Sequence, residues 1–168
     1  IEDDEEEPVV TVSLSATTVA ESDPDVVVTV NIATSSTLNC VVDVATAGGS
    51  AVSGIDFTAV TSTITYAPGS DGDRLVNVPI TVDNTYDDGD ETFVVNVVPQ
   101  SGCNGGGSFT VTITDDDSIP TLSILEPAAT VDENVGPLTY TASMSGASEV
   151  DCVISWSHNG VATTATAV

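Results

Sequence analysis

Apolar and polar residues alternate with a period of two in a series of short runs, and no stretch keeps apolar positions at helical spacing. The first run predicts a strand over Val9–Leu14 that kinks and resumes at Val19. A second covers Val26–Ala33, after a turn at Pro24 and Asp25. The third, Cys40–Ala45, puts Cys40, Val42 and Val44 on one face. A glycine-rich loop over Gly48–Asp56 leads to a fourth strand, Thr61–Tyr66, which stops at the turn Pro68-Gly69-Ser70-Asp71-Gly72. Leu75–Val82, Thr92–Val98 and Phe109–Thr114 complete the set, the last preceded by Gly105-Gly106-Gly107. Seven short strands separated by turn chemistry predict an all-β fold, a seven-stranded antiparallel β-sandwich. Val, Thr, Ser and Ala dominate the composition, and the β-branched residues among them suit half-buried pleated strands.

The pattern recurs. Ile1, Asp3, Asp4 and Pro8 reappear 112 residues later as Ile113, Asp115, Asp116 and Pro120, and Val19, Glu21, Cys40 and Val41 as Val131, Glu133, Cys152 and Val153. The 168 residues therefore read as about one and a half copies of a tandem module of about 112 residues. Residues 1–7 close a preceding copy, 8–118 form a complete domain, and 119–168 form the N-terminal half of the next. That half predicts strands over Thr121–Leu125, Leu138–Met144 and Val150–Trp156. Trp156 falls on the position of Val44 and is expected in a core. Three strands do not close a sandwich, so further chain or a neighbouring molecule is expected to complete the sheet.

Charge changes the picture. Asp and Glu number 26 against one basic residue, Arg74, for a formal net charge of −25. With no basic footprint, binding to nucleic acid or to an anionic membrane surface is excluded. No apolar run reaches the length of about 18 residues that a membrane-spanning helix requires. Alternate strands of an antiparallel sandwich end at the same pole. Glu21, Asp56, the segment Asp83–Glu91 and the triplet Asp115-Asp116-Asp117 accordingly converge there, while Arg74 begins a strand at the other pole. Crowded carboxylates without a cation disperse into solvent, take up protons or bind a divalent ion. Calcium, with six to eight oxygen ligands in flexible geometry, suits acids arriving from several loops better than magnesium or zinc. A solvated acidic coat for a saline setting is the alternative. The linear EF-hand pattern does not occur.

Cys40 and Cys103 both map to the pole opposite the acids, where a disulfide would close a long loop; three free buried thiols are the alternative. Cys152 repeats Cys40, and its partner would fall beyond Val168. A disulfide implies an oxidising, extracellular compartment.

Several segments together resemble the Calx-β module of sodium/calcium exchangers and large extracellular adhesion proteins. They are Val19-Ala20-Glu21, Gly54-Ile55-Asp56-Phe57, Ile64–Gly69, the acidic turn Asp83–Phe93 and the closing Val111–Asp117. The resemblance covers residues 9–117 and, for the next copy, 120 to about 156. It implies an immunoglobulin-like sandwich that binds calcium at the acidic pole. Its implied ligand positions are Glu21, Asp56, Asp83, Asn84, Asp88, Glu91, Asp115, Asp116 and Asp117. Asn84 stands where the family has Asp and brings an oxygen without a charge. In the second copy Glu133 is retained, but the strict counterpart of Asp56 is Val168.

One His, no Lys and no nucleophile–base arrangement leave little machinery for an enzyme. The expectation is a calcium-binding structural or adhesive repeat of a secreted surface protein or filament, with calcium rigidifying junctions between modules. Its partners would be neighbouring repeats or identical subunits. The alternatives are a regulatory calcium sensor of the exchanger type and a ligand-binding adhesion domain.

Overall fold

The computed structural model describes residues 6–87, 89–126, 130, 134, 139–158 and 161–167. In chain order the strands begin with β1 (Val9–Leu14), β2 (Thr18–Ala20), β3 (Val26–Ile32), β4 (Cys40–Gly48) and β5 (Thr61–Tyr66). There follow β6 (Gly72–Val78), β7 (Thr85–Tyr86), β8 (Glu91–Ser101), β9 (Asn104–Gly105) and β10 (Gly107–Thr114). The last are β11 (Leu122–Leu125), β12 (Thr141–Met144), β13 (Ala147–Ser148), β14 (Cys152–His158) and β15 (Val161–Ala167). No helix occurs among the described residues. The chain divides into two bodies, Ile1–Val82 with Gly89–Thr114, and Asp83–Asp88 with Asp115–Val168.

The first body is a β-sandwich. One sheet has the order β6-β3-β1-β9 and the other β2-β10-β8-β4-β5. The alternation of β3 is complete, with every second residue from Val26 to Ile32 buried. Those residues meet Val42, Val44, Phe93, Val95, Val97, Val111 and Ile113 of the facing sheet in a single apolar cluster. The kink after Leu14 moves the chain from one sheet to the other: β1 pairs antiparallel with β3, and β2 pairs parallel with β10. Five strands differ from their sequence reading: β3 stops one residue early, at Ile32, β8 runs from Glu91 to Ser101 and β10 starts at Gly107, and β4 and β6 differ more. β4 continues past Ala45 because its ladder with β8 runs on to Gly48 opposite Phe93. β6 starts at Gly72, opposite Ile32, and ends at Val78, because Pro79 has no N–H to extend the ladder.

One pole of this body is covalently closed. Cys40 and Cys103 form a disulfide with 5.3 Å between their Cα atoms. The adjoining turn needs Gly102, which adopts φ 67°, and any Cβ there would lie 2.1 Å from the Asn39 carbonyl oxygen. Tyr66, opposite Cys40 in the β4–β5 ladder, donates its phenol proton to the buried Val30 carbonyl at 2.7 Å. The Arg74 guanidinium sits 5.0 Å from the Tyr66 ring centroid, so the sole basic side chain of the sequence is held at the disulfide pole.

The second body consists of two-stranded ladders, β11–β12, β13–β7 and β14–β15. Leu122 opposite Met144 repeats the register of Val10 opposite Ile32, 112 residues on. β11 and β14 begin later than the sequence pattern indicates, at Leu122 and Cys152, and Leu138 lies outside the described residues. β15 has no counterpart in the sequence reading. Trp156 corrects an expectation: it is 52% exposed rather than in a core. β14 has only β15 beside it, and among the described residues no second sheet lies across its face.

Removing the disulfide with Cys40→Ser and Cys103→Ser is expected to lower the unfolding free energy of the first body by about 4 kcal/mol, the chain-entropy value for a cross-link spanning 63 residues. Urea unfolding of the oxidised protein and the double variant measures it, and equal midpoints would show that the cross-link adds nothing to the sheet pairing. In the same assay Tyr66→Phe, which removes a hydrogen bond to a buried carbonyl, is expected to cost about 1 kcal/mol.

Candidate metal centre

At the pole away from the disulfide, three core-facing rows of the sandwich run out into carboxylates. The two-residue period carries Val19 on to Glu21, Val111 and Ile113 on to Asp115, and, in the reverse direction, Val97, Val95 and Phe93 on to Glu91. Register puts these ends at one level, since Ile113 lies opposite Glu91 on one side and beside Val19 on the other. The Glu21 N–H donates to the Thr114 carbonyl at 3.2 Å. Glu21 is 6% exposed, and a charge so far out of water demands compensation.

Asp56 arrives on the loop between β4 and β5, and that loop is clamped to the start of β8. The Gly49 and Ala51 N–H groups both donate to the Thr92 carbonyl at 3.0 Å, and Ser50 Oγ accepts from the Thr92 N–H at 2.8 Å. Only glycine fits at position 49, where a Cβ would stand 2.5 Å from the Thr92 oxygen. The next residue after Asp56, Phe57, is fully buried and stacks on Phe93 with ring centroids 4.4 Å apart. The Asp56 carboxylate itself accepts the Val52 N–H at 2.5 Å, which fixes its direction.

The acids of the second body are organised around Asp115. One of its oxygens accepts the Asp87 N–H at 3.1 Å and the other the Asp117 N–H at 2.8 Å. Asp83 closes a local turn by accepting the Thr85 N–H at 2.7 Å. Asp117 Oδ2 is buried and has no hydrogen-bond partner among the described residues. Burial pushes the Asp117 carboxyl above the usual carboxylate range, and the nearby charges of Asp115, Asp116 and Asp83 push it further the same way.

Two sets of three carboxylates offer ligand oxygens within 4.8 Å of one another: Glu21 with Asp115 and Asp117, and Asp56 with Asp87 and Glu91. Five of the nine residues singled out in the sequence thus fall in these sets. Asp83 and Asp116 stand outside them, Asn84 has no carboxylate to contribute, and Asp88 lies outside the described residues. Asp87 was not among the nine; its only sequence signal is membership of the acidic run from Asp87 to Glu91. Both sets are all-oxygen, without His or Cys, which is the donor chemistry of a hard cation and not of zinc. The buried, unpartnered Asp117 oxygen fits that donor set. These acidic clusters could hold Ca2+, with the remaining coordination positions filled by backbone carbonyls or water.

A family model described as the Calx-beta domain matches residues 3–117. Among solved structures, the apo form of the Calx CBD1 domain aligns at TM-score 0.54 with 24% identity, over 65% of this chain and 99% of that one. CBD12 from CALX1.2 and the calcium binding domain CBD12 of CALX1.1 each align at TM-score 0.52 with 26% identity, over 60% of this chain. This chain spans only 42% and 41% of their lengths. No curated protein sequence matches.

The raised Asp117 pKa fixes the sign of a pH effect. The folded state holds this proton more tightly than the unfolded chain, so stability falls as pH rises through the window from the ordinary carboxylate value to the raised one. In calcium-free buffer, Asp117→Asn is therefore expected to melt higher than the parent protein at neutral pH. The difference should shrink to nothing as pH drops below the ordinary carboxylate value. Melting curves of both proteins in chelator across that window test it, and a constant difference would assign the effect to packing instead.

Proposed function

The chain belongs to the Calx-β domain family, and on that footing we propose that it is a calcium-binding domain of the sensor type, whose acidic loops take up one conformation when loaded and another when empty. The observation that carries this reading is the pair of three-carboxylate sets, fed by loops that are far apart in sequence. An ion at such a place neutralises carboxylates at the pole away from Arg74, and it ties loop to loop where no ladder does so. The matched CBD12 of CALX1.1, described as a calcium binding domain, supports calcium as the ion. The reading is non-enzymatic: the carboxylates of both sets serve as oxygen donors to a cation.

A second reading, calcium as a stiffener of a surface-exposed structural module, draws its support from the Cys40–Cys103 disulfide, which suits an oxidising, extracellular compartment. The two readings predict different extents of response. A sensor changes mobility in the loops around Asp56, Asp87 and Asp115. A stiffener also orders the segment from Asp117 to Thr121.

Titration calorimetry of chelator-stripped protein is expected to show calcium binding, with a stability gain of about 2.7 kcal/mol at a hundredfold excess over Kd. Asp115→Asn and Glu91→Gln should each weaken binding at least tenfold, whereas Asp71→Asn, on a turn between β5 and β6, should leave it unchanged. Amide exchange with and without calcium then separates the readings by where protection grows. An absence of heat and of any melting shift at millimolar calcium would reduce the acids to a solvated coat.

A further inference from the structure

The two sheets of the first body end in four edge strands, β6 and β9 on one and β2 and β5 on the other. Three of them are blunted. β2 has three residues and β9 two, while β6 carries Asp73 and Arg74 and stops at Pro79. Shortness, charge and proline are the usual means by which a sheet avoids taking on a foreign strand. β5 has none of these guards. It is six residues long, Thr61–Tyr66, without a charge or a proline, and it pairs with β4 without a register shift. Among the described residues no strand lies along its other side.

One hydrogen bond fixes the direction of the backbone groups on that free side. The Thr46 N–H donates to the Val60 carbonyl at 2.9 Å, in the same register that sets Val44 opposite Ser62 and Val42 opposite Ile64. Hydrogen-bonding groups alternate between the two edges of an antiparallel strand. Ser62, Ile64 and Tyr66 therefore bond to β4, and the N–H and C=O groups of Thr61, Thr63 and Thr65 point away from it. The same three residues expose their side chains. The outward row reads alike from both ends, threonine at every second position about Thr63, so an antiparallel copy of it is its complement. Thr63 then meets Thr63 and Thr61 meets Thr65, each as a pair that exchanges both backbone hydrogen bonds, with threonine packed on threonine.

We propose that β5 is a docking edge for the β5 strand of a second copy of the chain, which joins the two five-stranded sheets across a two-fold axis at Thr63. The contact is isologous and uses the single unguarded edge of each first body, so a dimer forms and growth stops there. Charge favours the antiparallel arrangement. β5 runs from the side of the Asp56 loop to Tyr66, opposite Cys40 at the disulfide pole, so the acidic poles of the two copies point in opposite directions. Asp43, opposite Thr63, sits one strand further in. The two Asp43 residues are then three strand spacings apart, about 14 Å, which exceeds the Debye length of about 8 Å at physiological salt. Repulsion between the two acidic chains remains, and the association strengthens as salt screens it.

Sedimentation of the intact chain over a wide concentration range, in chelator and about 1 M NaCl, is expected to show a monomer of 17.0 kDa giving way to a species of twice that mass. Amide exchange followed by NMR along the same concentration series reads the register. The Thr61, Thr63 and Thr65 amides should gain roughly tenfold or more in protection as the dimer forms, whereas those of Ser62 and Ile64 are protected throughout. In a Cys152→Ser background, which removes the free thiol, Thr63→Cys should cross-link the dimer on oxidation. Residues so paired stand about 5.5 Å apart at Cα, within reach of a disulfide. Leu75→Cys, exposed on the guarded β6 edge, should not cross-link. Thr63→Pro removes an outward N–H and no bond to β4, and it should weaken the dimer roughly tenfold or more; should that variant fail to fold, the exchange and cross-linking results decide. A chain that stays monomeric, that grows beyond a dimer, whose dimer leaves the three threonine amides unprotected, or that cross-links through Leu75→Cys and not Thr63→Cys would overturn the proposal. Because every measurement is made in chelator, failure of the dimer and failure of calcium binding are distinguishable.

Discussion

A core that ends in charge governs the first body. The inward rows of the sandwich are apolar from the disulfide pole up to Val19, Phe93 and Ile113, and each then delivers a carboxylate one period further on. The same ladders that align the apolar side chains therefore also align the acids, with Glu21 buried and Asp115 and Glu91 half-buried. The one Arg of the sequence is held at the far pole against Tyr66. Desolvation and like-charge repulsion both work against folding at that end, and a divalent cation relieves both at once. Fold and ion site are one problem here.

The two poles are built on opposite chemical terms. At one, a covalent bond, a buried phenol and a close-approach glycine hold the strands without reference to solution conditions. At the other, the loops are positioned by backbone hydrogen bonds to Thr92 and to the Asp115 carboxylate, and they remain answerable to pH and ionic composition.

Much of this was legible in the alternation. Val9–Leu14 and Thr61–Tyr66 are strands with the bounds that the pattern predicts, and the resumption at Val19 appears as β2. Strand direction puts Cys40 and Cys103 at one pole, with free thiols left as the alternative, and the disulfide is formed. The misreadings share a cause. A two-residue period says which side chains share a face, but not whether another sheet lies over it, so Trp156 could be placed on a row and not in or out of a core. β15 was overlooked because its Ala–Thr sequence carries little contrast between faces. β7 and β13 are two residues each and pair in parallel, which leaves no local signature. Asp87 escaped because neighbouring acids in one turn differ only in direction, and direction is set by the backbone hydrogen bond to Asp115.

The switch of the first strand between sheets has a mechanical consequence. β2 and β10 are the opening and closing strands of the first body on one sheet, and they run parallel, joined from Thr112 beside Thr18 to Thr114 beside Ala20. Tension applied to the two ends of this body pulls those strands past each other along their length, so the hydrogen bonds between them are loaded together in shear rather than peeled open in sequence. The Glu21 N–H closes that row on the Thr114 carbonyl, so the load-bearing bonds end where the acids of the pole begin.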